Sequence, residues 1–392
     1  MTKSVLDAVR EVVDQQLPVF ERRMLSGEPF ADLVPELDAL RATVRGTSAW
    51  VGFLPAEAGG GAHTLPEFAH LAEAMGRSPL GHYVFNCQAP DAGNMELLLH
   101  AGTPAQQERW LRPLVAGDIR SCFTMTEPGR AGSNPVWMDT QARREGGDWV
   151  ITGHKWFATG AEGSDLAVCM AITDPDGPPH ARASLFLVPT DTPGWQILRN
   201  LPVMGESGSG WASHAEVHYD EVRVPASALL GEVGQGFALA QTRLGPGRIH
   251  HCMRWIGIAE RVIELTARQL LDRELGPGDP LATRQAQTHA LAHSRIAVEA
   301  SRSLVLDVAA GIHRDGTRTH RTRVAAIKVL VANMLQSVLD RAIQAHGGAG
   351  LLDEGPIAWW YRHERAARIY DGPDEAHLDL IARHELRRHR EP

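Results

Sequence analysis

Residues 148–157, Asp-Trp-Val-Ile-Thr-Gly-His-Lys-Trp-Phe, read with a period of two, the mark of a half-buried strand. The same period recurs in DLAVCMAIT (165–173), ASLFLVPT (183–190) and AEVHYDEVRV (215–224), with Gly, Pro and Asp clusters between the runs. On either side the spacing changes to three and four. It does so in PELDALRATV (35–44) and EFAHLAEAMG (67–76) before the strands. After them come IAERVIELTARQLLDREL (258–275), LAHSRIAVEASRSLVLDVAAGI (291–312) and VAAIKVLVANMLQSVLDRAIQAH (324–346). This order predicts an α+β chain: an all-α segment over 1–120, a β-sandwich or small barrel over 121–235, and a four-helix bundle over 236–392.

An α, β, α order excludes the alternating plan of a dinucleotide-binding fold. Gly231-Glu-Val-Gly234-Gln-Gly236 also lacks the GxGxxG spacing and reads as a loop ahead of the next helix. In GTPAQQERWLRPLVAG (102–117), Thr103 caps a helical unit, Pro104 takes its first turn and Gly117 follows its end.

The chain has 392 residues, 43% of them apolar and 22% charged, with a formal charge of −8. That balance suits a soluble globular protein of two or three packed units and argues against a nucleic-acid binder, whose affinity rests on basic residues. No apolar stretch approaches the roughly 20 residues of a membrane span, and the first 17 residues form an amphipathic helix without the layout of a secretion signal. A cytoplasmic protein with no membrane partner is expected. Cys87, Cys122, Cys169 and Cys252 form no CxxC pair, and none of the 19 histidines sits in HExxH, so neither disulfide nor metal is expected. The basic end HELRRHREP (384–392) reads as a solvated tail.

The segment Cys122-Phe-Thr-Met-Thr-Glu-Pro-Gly-Arg-Ala-Gly-Ser133-Asn134 is rich in hydroxyls and turn formers. Such a loop can present N–H groups and hydroxyls to an anionic ligand, and is equally an ordinary polar turn. It closely resembles the TEP-x-AGSD flavin loop of the acyl-CoA dehydrogenase family. The resemblance continues in family order through the Gly59-Gly60-Gly61 loop, GHKWFATG (153–160), LGPGR (244–248), Gln344-Ala-His-Gly-Gly-Ala-Gly350 and Tyr370-Asp371-Gly372-Pro373. RLGPGRIHHCMR (243–254) is most similar to a branch that can be fused behind an aminoglycoside-phosphotransferase-like domain.

The resemblance implies FAD lying between the β-domain and the bundle. Phe123, Met125, Thr126 and Ser133 match one flavin contact loop, and Trp156, Phe157 and Ala158 the second. Trp156 is also readable as a core aromatic. Ala158 departs from the family's usual threonine, a hydrogen-bond donor near the flavin N5, for which Thr159 is a candidate substitute. Arg273 and Gln344 resemble residues that reach a neighbouring subunit's FAD, although RELGPGD differs from the family's R-x-x-F-G and leaves Arg273 readable as a surface charge. Gly348, with Gly347 and Gly350, allows close backbone approach or ends a helix. Pro373 and Glu375 complete the implied cofactor contacts.

Asp371 stands where the family usually carries the glutamate that removes the substrate α-proton. A carboxylate suits that task, and a helix N-cap or turn aspartate is the alternative reading in a DGPD string. Gly247, at the family's second location for the base, offers no carboxylate. Arg248, His251 and Cys252 share one helical face. Arg248 and His251 are implied substrate contacts, with a satisfied core histidine as the other reading of His251, and Ser133 and Gly372 join them. The implied reaction is α,β-dehydrogenation of a fatty acyl-CoA to the trans-2-enoyl-CoA, with the β-hydride passing to flavin N5 and electrons to an electron-transfer flavoprotein. A homo-oligomer, dimer or tetramer, is implied as well. The rivals are a flavin oxidase similar to nitroalkane oxidase and a non-catalytic scaffold.

Overall fold

Side-chain oxygens open the helices of the amino-terminal third. In the computed structural model, which describes residues 4–390 and the backbone alone at 243–246, Ser4 accepts from the Asp7 amide and starts α1 (Val5–Glu11). A π turn leads into α2 (Leu17–Leu25), then α3 (Phe30–Val44). Thr64 and Glu67 form a reciprocal capping box at the head of α4 (Leu65–Gly76). After α5 (Gly81–Val84) and α6 (Asp91–Ala101), a second box between Thr103 and Gln106 starts α7 (Pro104–Gln106). A π turn joins it to α8 (Arg112–Ala116). Gly117 ends the unit at φ +75°, where a Cβ would lie 2.7 Å from Arg41 and 2.8 Å from Trp50. Side chains of the LGPGR motif at 244–246, and Glu391 and Pro392 of the basic tail, lie outside the described residues.

The middle of the chain is one eight-stranded sheet. Its members are β1 (Ser121–Thr124), β2 (Gln141–Glu145), β3 (Asp148–Thr159), β4 (Leu166–Ile172), β5 (Ala183–Pro189), β6 (Trp195–Asn200), β7 (His214–Pro225) and β8 (Leu229–Leu230). Their order is β6-β7-β3-β2-β4-β5-β8, with β1 parallel to β4. The two halves share an inner core, to which β3 and β7 give Ile151, Val217 and Tyr219, and β4 and β5 give Cys169, Phe186 and Val188. β4 is buried on both faces. Ala167, Cys169 and Ala171 join that inner core, while Leu166, Val168, Met170 and Ile172 pack with the helices.

The carboxyl-terminal part begins with α9 (Gly236–Asp272). A hairpin of β9 (Glu274–Gly276) and β10 (Asp279–Pro280) follows, then α10 (Gln285–Asp315), α11 (Arg321–His346), α12 (Pro356–His363) and α13 (Asp374–Arg388). α11 packs on α9, α10 and α13. It is the one described helix long and apolar enough to cross a membrane, which corrects the expectation that no segment comes near this. Packing accounts for the apolarity: Val324, Ile327, Val331, Leu335 and Val338 are buried in the bundle.

α4 and α9 touch backbone to backbone, and glycine permits it. A Cβ on Gly76 would lie 2.4 Å from the Arg254 carbonyl, and one on Gly257 would lie 2.0 Å from that of Glu73. Arg302 of α10 bridges Glu73 and Glu260, and Arg261 of α9 pairs with Glu21 at 2.6 Å. One face of α9 is thereby fixed between the amino-terminal helices and the bundle.

Candidate active site

The turn between the short 3-10 segment Glu364–Arg368 and α13 holds two consecutive left-handed residues, Asp371 at φ +54° and Gly372 at φ +97°. A non-glycine residue there costs about 1–2 kcal/mol, least for Asp and Asn. Three side chains offset that cost through the turn's carbonyls. Arg248 donates to the Asp371 oxygen from Nε at 3.2 Å and Nη2 at 3.0 Å, and His377 Nε2 donates to the same oxygen at 3.1 Å. Lys328 Nζ donates to the Gly372 oxygen at 2.7 Å. Hydrogen bonds from the two cationic donors, Arg248 and Lys328, contribute about 1.5–3 kcal/mol each, enough to hold the turn. A Cβ on Gly372 would sit 2.9 Å from His377 Nε2, so glycine is required there by contact as well as by φ.

Because the backbone takes these donors, the Asp371 carboxylate is directed elsewhere. Its Oδ2 lies 3.4 Å from His251 Nε2. The imidazole stacks on Trp255 (centroids 5.9 Å apart, planes at 25°) and tilts against Tyr370 at 5.3 Å. Behind it, Arg254 bonds the Tyr370 hydroxyl at 2.9 Å and pairs with Glu364, which also accepts from Trp255 Nε1 at 2.8 Å. Asp371 is not a helix cap: Pro373 holds the N-cap position of α13, and the neighbouring Asp374 is the buried structural carboxylate, accepting from Asn333 at 2.9 Å and Arg368 at 2.7 Å.

Burial sets the charges of this corner. It pushes the fully buried Lys328 ammonium down to about 8, against the pull of Asp374 and Asp371. It also lowers Arg248 below the usual guanidinium range and raises the Cys252 thiol and the Tyr370 phenol. His377 falls to about 4 and His250 to about 3, both through burial first and neighbouring cations or imidazoles second, so both rings are neutral near pH 7.

The segment after β1 is fastened to β3 by a buried ion pair. Lys155 Nζ lies 2.9 Å from both the Met125 carbonyl and Glu127, and Glu127 also accepts from the Thr140 amide at 2.9 Å. Burial pushes the Glu127 carboxyl up, but Lys155 and these donors outweigh it and hold it below the usual range. The Trp156 amide donates to the Thr126 carbonyl at 3.0 Å, so the two implied flavin segments are hydrogen-bonded to each other. Phe123 and Met125 pack against the helical core, as does Tyr370. Phe157, at φ +51° in a β-bulge, is exposed, whereas Ala158 is fully buried toward the inner sheet core. The Thr159 hydroxyl is engaged by His214 Nδ1 at 2.9 Å.

Structure therefore brings Asp371, Gly372, Arg248 and His251 together, and separately Phe123, Met125, Thr126 and Trp156. Ser133 and Glu375 are exposed and Pro373 is half-buried. Arg273 caps the end of α9, and with Gln344 and Gly348 it stands on the exposed surface of the bundle. Gly347 closes α11 at φ +61°, and a Cβ on Gly350 would lie 2.7 Å from the Ile343 carbonyl, so helix termination alone requires these two glycines. Sequence reading missed Lys328 and His377, which hold the Asp371 turn. Lys328 shares the buried face of Val324, Val331 and Leu335 at helical spacing, a signal that was available.

Family models for the amino-terminal, middle and carboxyl-terminal domains of acyl-CoA dehydrogenase match residues 2–118, 122–222 and 234–386. The chain belongs to the acyl-CoA dehydrogenase family. It is 44% identical over 360 residues to the Mycobacterium tuberculosis protein named "Probable acyl-CoA dehydrogenase FadE2", covering 90% of this chain and 86% of that one. With mouse acyl-CoA dehydrogenase family member 10 it shares 40% identity across 97% of its own length but spans only 37% of that longer protein. A solved Mycobacterium abscessus structure described as an acyl-CoA dehydrogenase superposes with a TM-score of 0.93 at 42% identity, with 100% of both chains covered.

The chain is accordingly an acyl-CoA dehydrogenase oxidoreductase of the three-domain fold, and FAD is its cofactor. The residues present fit that group. Trp156 Nε1 is buried with no hydrogen-bond partner among the described residues, which suits an acceptor atom of a flat heteroaromatic ring. Apolar Phe123 and Met125, beside the hydroxyl of Thr126, supply the rest of such a surface.

Proposed function

We propose that this acyl-CoA dehydrogenase oxidises a fatty acyl-CoA thioester to its trans-2-enoyl-CoA, with Asp371 as the base. The observation that carries the reading is the division of labour at the turn: Arg248, His377 and Lys328 hold its carbonyls, while the Asp371 carboxylate is spent on none of them and faces His251 at 3.4 Å. A carboxylate so placed can take a proton from the carbon next to a thioester. FAD, when bound, supplies the two-electron acceptor for the hydrogen leaving the β-carbon. The chain's own task is to orient the thioester and hold the base within reach, which a shorter Asp does when substrate or backbone sits closer than for Glu.

Arg248, with its charged guanidinium beside the Asp371 turn, is the side chain we assign to the CoA thioester arm. Arg273, Gln344, Gly348 and Glu375 are assigned to cofactor contact across a homo-oligomer interface, which their exposure in the single chain supports. Electrons then pass to an electron-transfer flavoprotein, and the protein acts in the cytoplasm. A second reading, direct reoxidation by oxygen, is favoured by one feature: Ala158 offers no hydroxyl and that of Thr159 is engaged by His214.

The test is an anaerobic absorbance titration of the flavin with saturated acyl-CoAs from short to very long. Bleaching by one range of chain lengths is the expected result and names the substrate; a flavin untouched by every acyl-CoA sinks the proposal. Rapid oxygen consumption during turnover without an added acceptor moves the reading to an oxidase.

A further inference from the structure

The loop between β1 and β2 leaves the sheet and returns to one side chain. Glu127, near its start, accepts from the Asp139 amide at 2.5 Å and the Thr140 amide at 2.9 Å, near its end. Residues 128–138 are thereby closed into an excursion whose base is the implied flavin segment Met125–Thr126, and which carries Ser133. Just before the return the side chains divide: Met138 is buried against the helical core and Trp137 turns out. Of the ten tryptophans in the chain, Trp137 alone is exposed, at 53%.

This exposed indole is fixed in place. Its amide donates to the Asn134 carbonyl at 3.0 Å, across a turn that Pro135 stiffens. The Arg130 guanidinium lies over the ring, 4.5 Å from its centroid, and Asp139 grips that guanidinium at Nε (2.8 Å) and Nη2 (2.7 Å). With one face under a held cation, the exposure falls to the other face and the edges. A ring already held loses little freedom on binding, so its open face is a preorganised stacking surface. The charges nearby are paired, Arg130 with Asp139 and Lys155 with Glu127. The surface therefore suits a flat uncharged ring rather than a phosphate.

We propose that the open face of Trp137 stacks on the adenine of the substrate's CoA. The proposal rests on the reading of an acyl-CoA as substrate. Such a thioester is a long ligand that ends, opposite its acyl chain, in a flat uncharged heteroaromatic ring. The loop that carries Ser133 and Trp137 rises from the implied flavin segment, where the thioester is to react, and its outermost aromatic is placed to meet the distal end of the arm. The cofactor also has an adenine, but its far end is assigned to Arg273 and Gln344 on the bundle edge. Trp137 is a binding residue in this scheme and takes no part in moving the proton or the hydride.

Truncating the ligand and the side chain in turn isolates the contact. The probes are an acyl-CoA whose β-carbon is replaced by sulfur, which cannot give up a β-hydride, and the same acyl thioester on 4′-phosphopantetheine, which lacks the adenosine end. Calorimetric titration of the FAD-loaded enzyme reads both affinities without turnover. Wild type should bind the CoA form more tightly. Trp137→Ala should weaken the CoA form about tenfold and leave the phosphopantetheine form unchanged, and Trp137→Phe, which keeps a stacking ring, should retain most of the affinity. Equal losses for the two ligands, or no loss for the CoA form, overturns the stacking while leaving the acyl-CoA reading in place. A Trp137→Ala protein that loses FAD also overturns it, because the indole would then serve the cofactor's adenine. A wild-type holoenzyme that binds neither ligand overturns the acyl-CoA reading, and the stacking with it.

Discussion

The turn at Asp371 and the outer edge of the bundle are built in opposite ways. At the turn, side chains from α9, α11 and α13 converge on two carbonyls, and every one belongs to the same chain. At the edge, Arg273, Gln344, Gly348 and Glu375 stand exposed. One folded chain thus holds the Asp371 turn by itself, whereas under the proposed assignment the exposed edge meets cofactor only when another subunit covers it.

The largest effect expected from this contrast is at Asp371. Asp371→Asn keeps the size of the side chain and its carbonyl clamp but removes the base. Turnover should fall by about 10²–10⁴, while flavin absorbance and the melting temperature stay at wild-type values. Ordinary turnover in that variant, measured by stopped-flow reduction, would mean that the held turn is architecture alone.

Acid should act on the buried histidines of the clamped corner and of β7 before the edge. The folded-state values of His377 and His214, about 4, and of His250, about 3, lie below the usual 6.5, with burial the first cause in each. An unfolded chain therefore binds more protons, so the stability these neutral rings contribute is complete above pH 6.5 and is lost as pH falls from 6.5 toward 4. Two to three protons give a slope of roughly 3–4 kcal/mol per pH unit, with water screening reducing the upper end. Urea midpoints between pH 7.5 and 4.5 measure it, and a flat profile there would show these rings to be charged in the fold.

Lys328 tests how far the clamp matters to chemistry rather than folding. Lys328→Met fills similar space but leaves the Gly372 carbonyl without its donor. An unpaired buried acceptor costs about 1–3 kcal/mol, partly offset by removing a buried charge. The turn should relax, with kcat falling about tenfold through loss of alignment. Intact kcat would assign the hold to Arg248 and His377 alone.

Much of the architecture was legible because composition carries period: DWVITGHKWF and its neighbours announce strands, and the long runs after Gly236 announce a bundle. Packing was less so. AVCM in β4 alternates in size rather than polarity because both faces are buried, and α11 reads as nearly membrane-like because it is the helix others pack around. At the site, the DGPD string and the Arg248–His251 face were readable from local spacing. Lys328 was only half readable, since its spacing with Val324, Val331 and Leu335 marks a buried face while a lysine within VAAIKVLVAN otherwise reads as a charge reaching for water. Its partner lies 44 residues away along the chain. Asp371 itself read as helix cap, turn residue or base; Pro373 takes the cap, and Asp371 stands in the turn before it.

On the exposed edge, the expected changes are smaller and confined to the cofactor. Arg273→Ala and Gln344→Ala should each weaken FAD retention about tenfold, or 1.4 kcal/mol, with apoprotein stability unchanged within about 0.5 kcal/mol. Gel filtration with absorbance at the flavin band reads both. A monomer that holds FAD as tightly as the assembled protein would break the contrast.

The smallest effect separates helix geometry from the site. Gly247 lies inside α9, one residue before Arg248, and a Cβ built on it meets no atom within 4 Å. Glycine within a helix costs about 0.5–1 kcal/mol relative to alanine. Where nothing crowds the position, Gly247→Ala should recover that amount and raise the melting temperature by a degree or two. If the open space beside Gly247 receives substrate, the same methyl will raise KM without moving the Asp371 turn, so stability and KM should increase together. A gain in stability with KM unchanged places that space outside the substrate's path, and a loss of stability would mean that α9 bends there in a way only glycine allows.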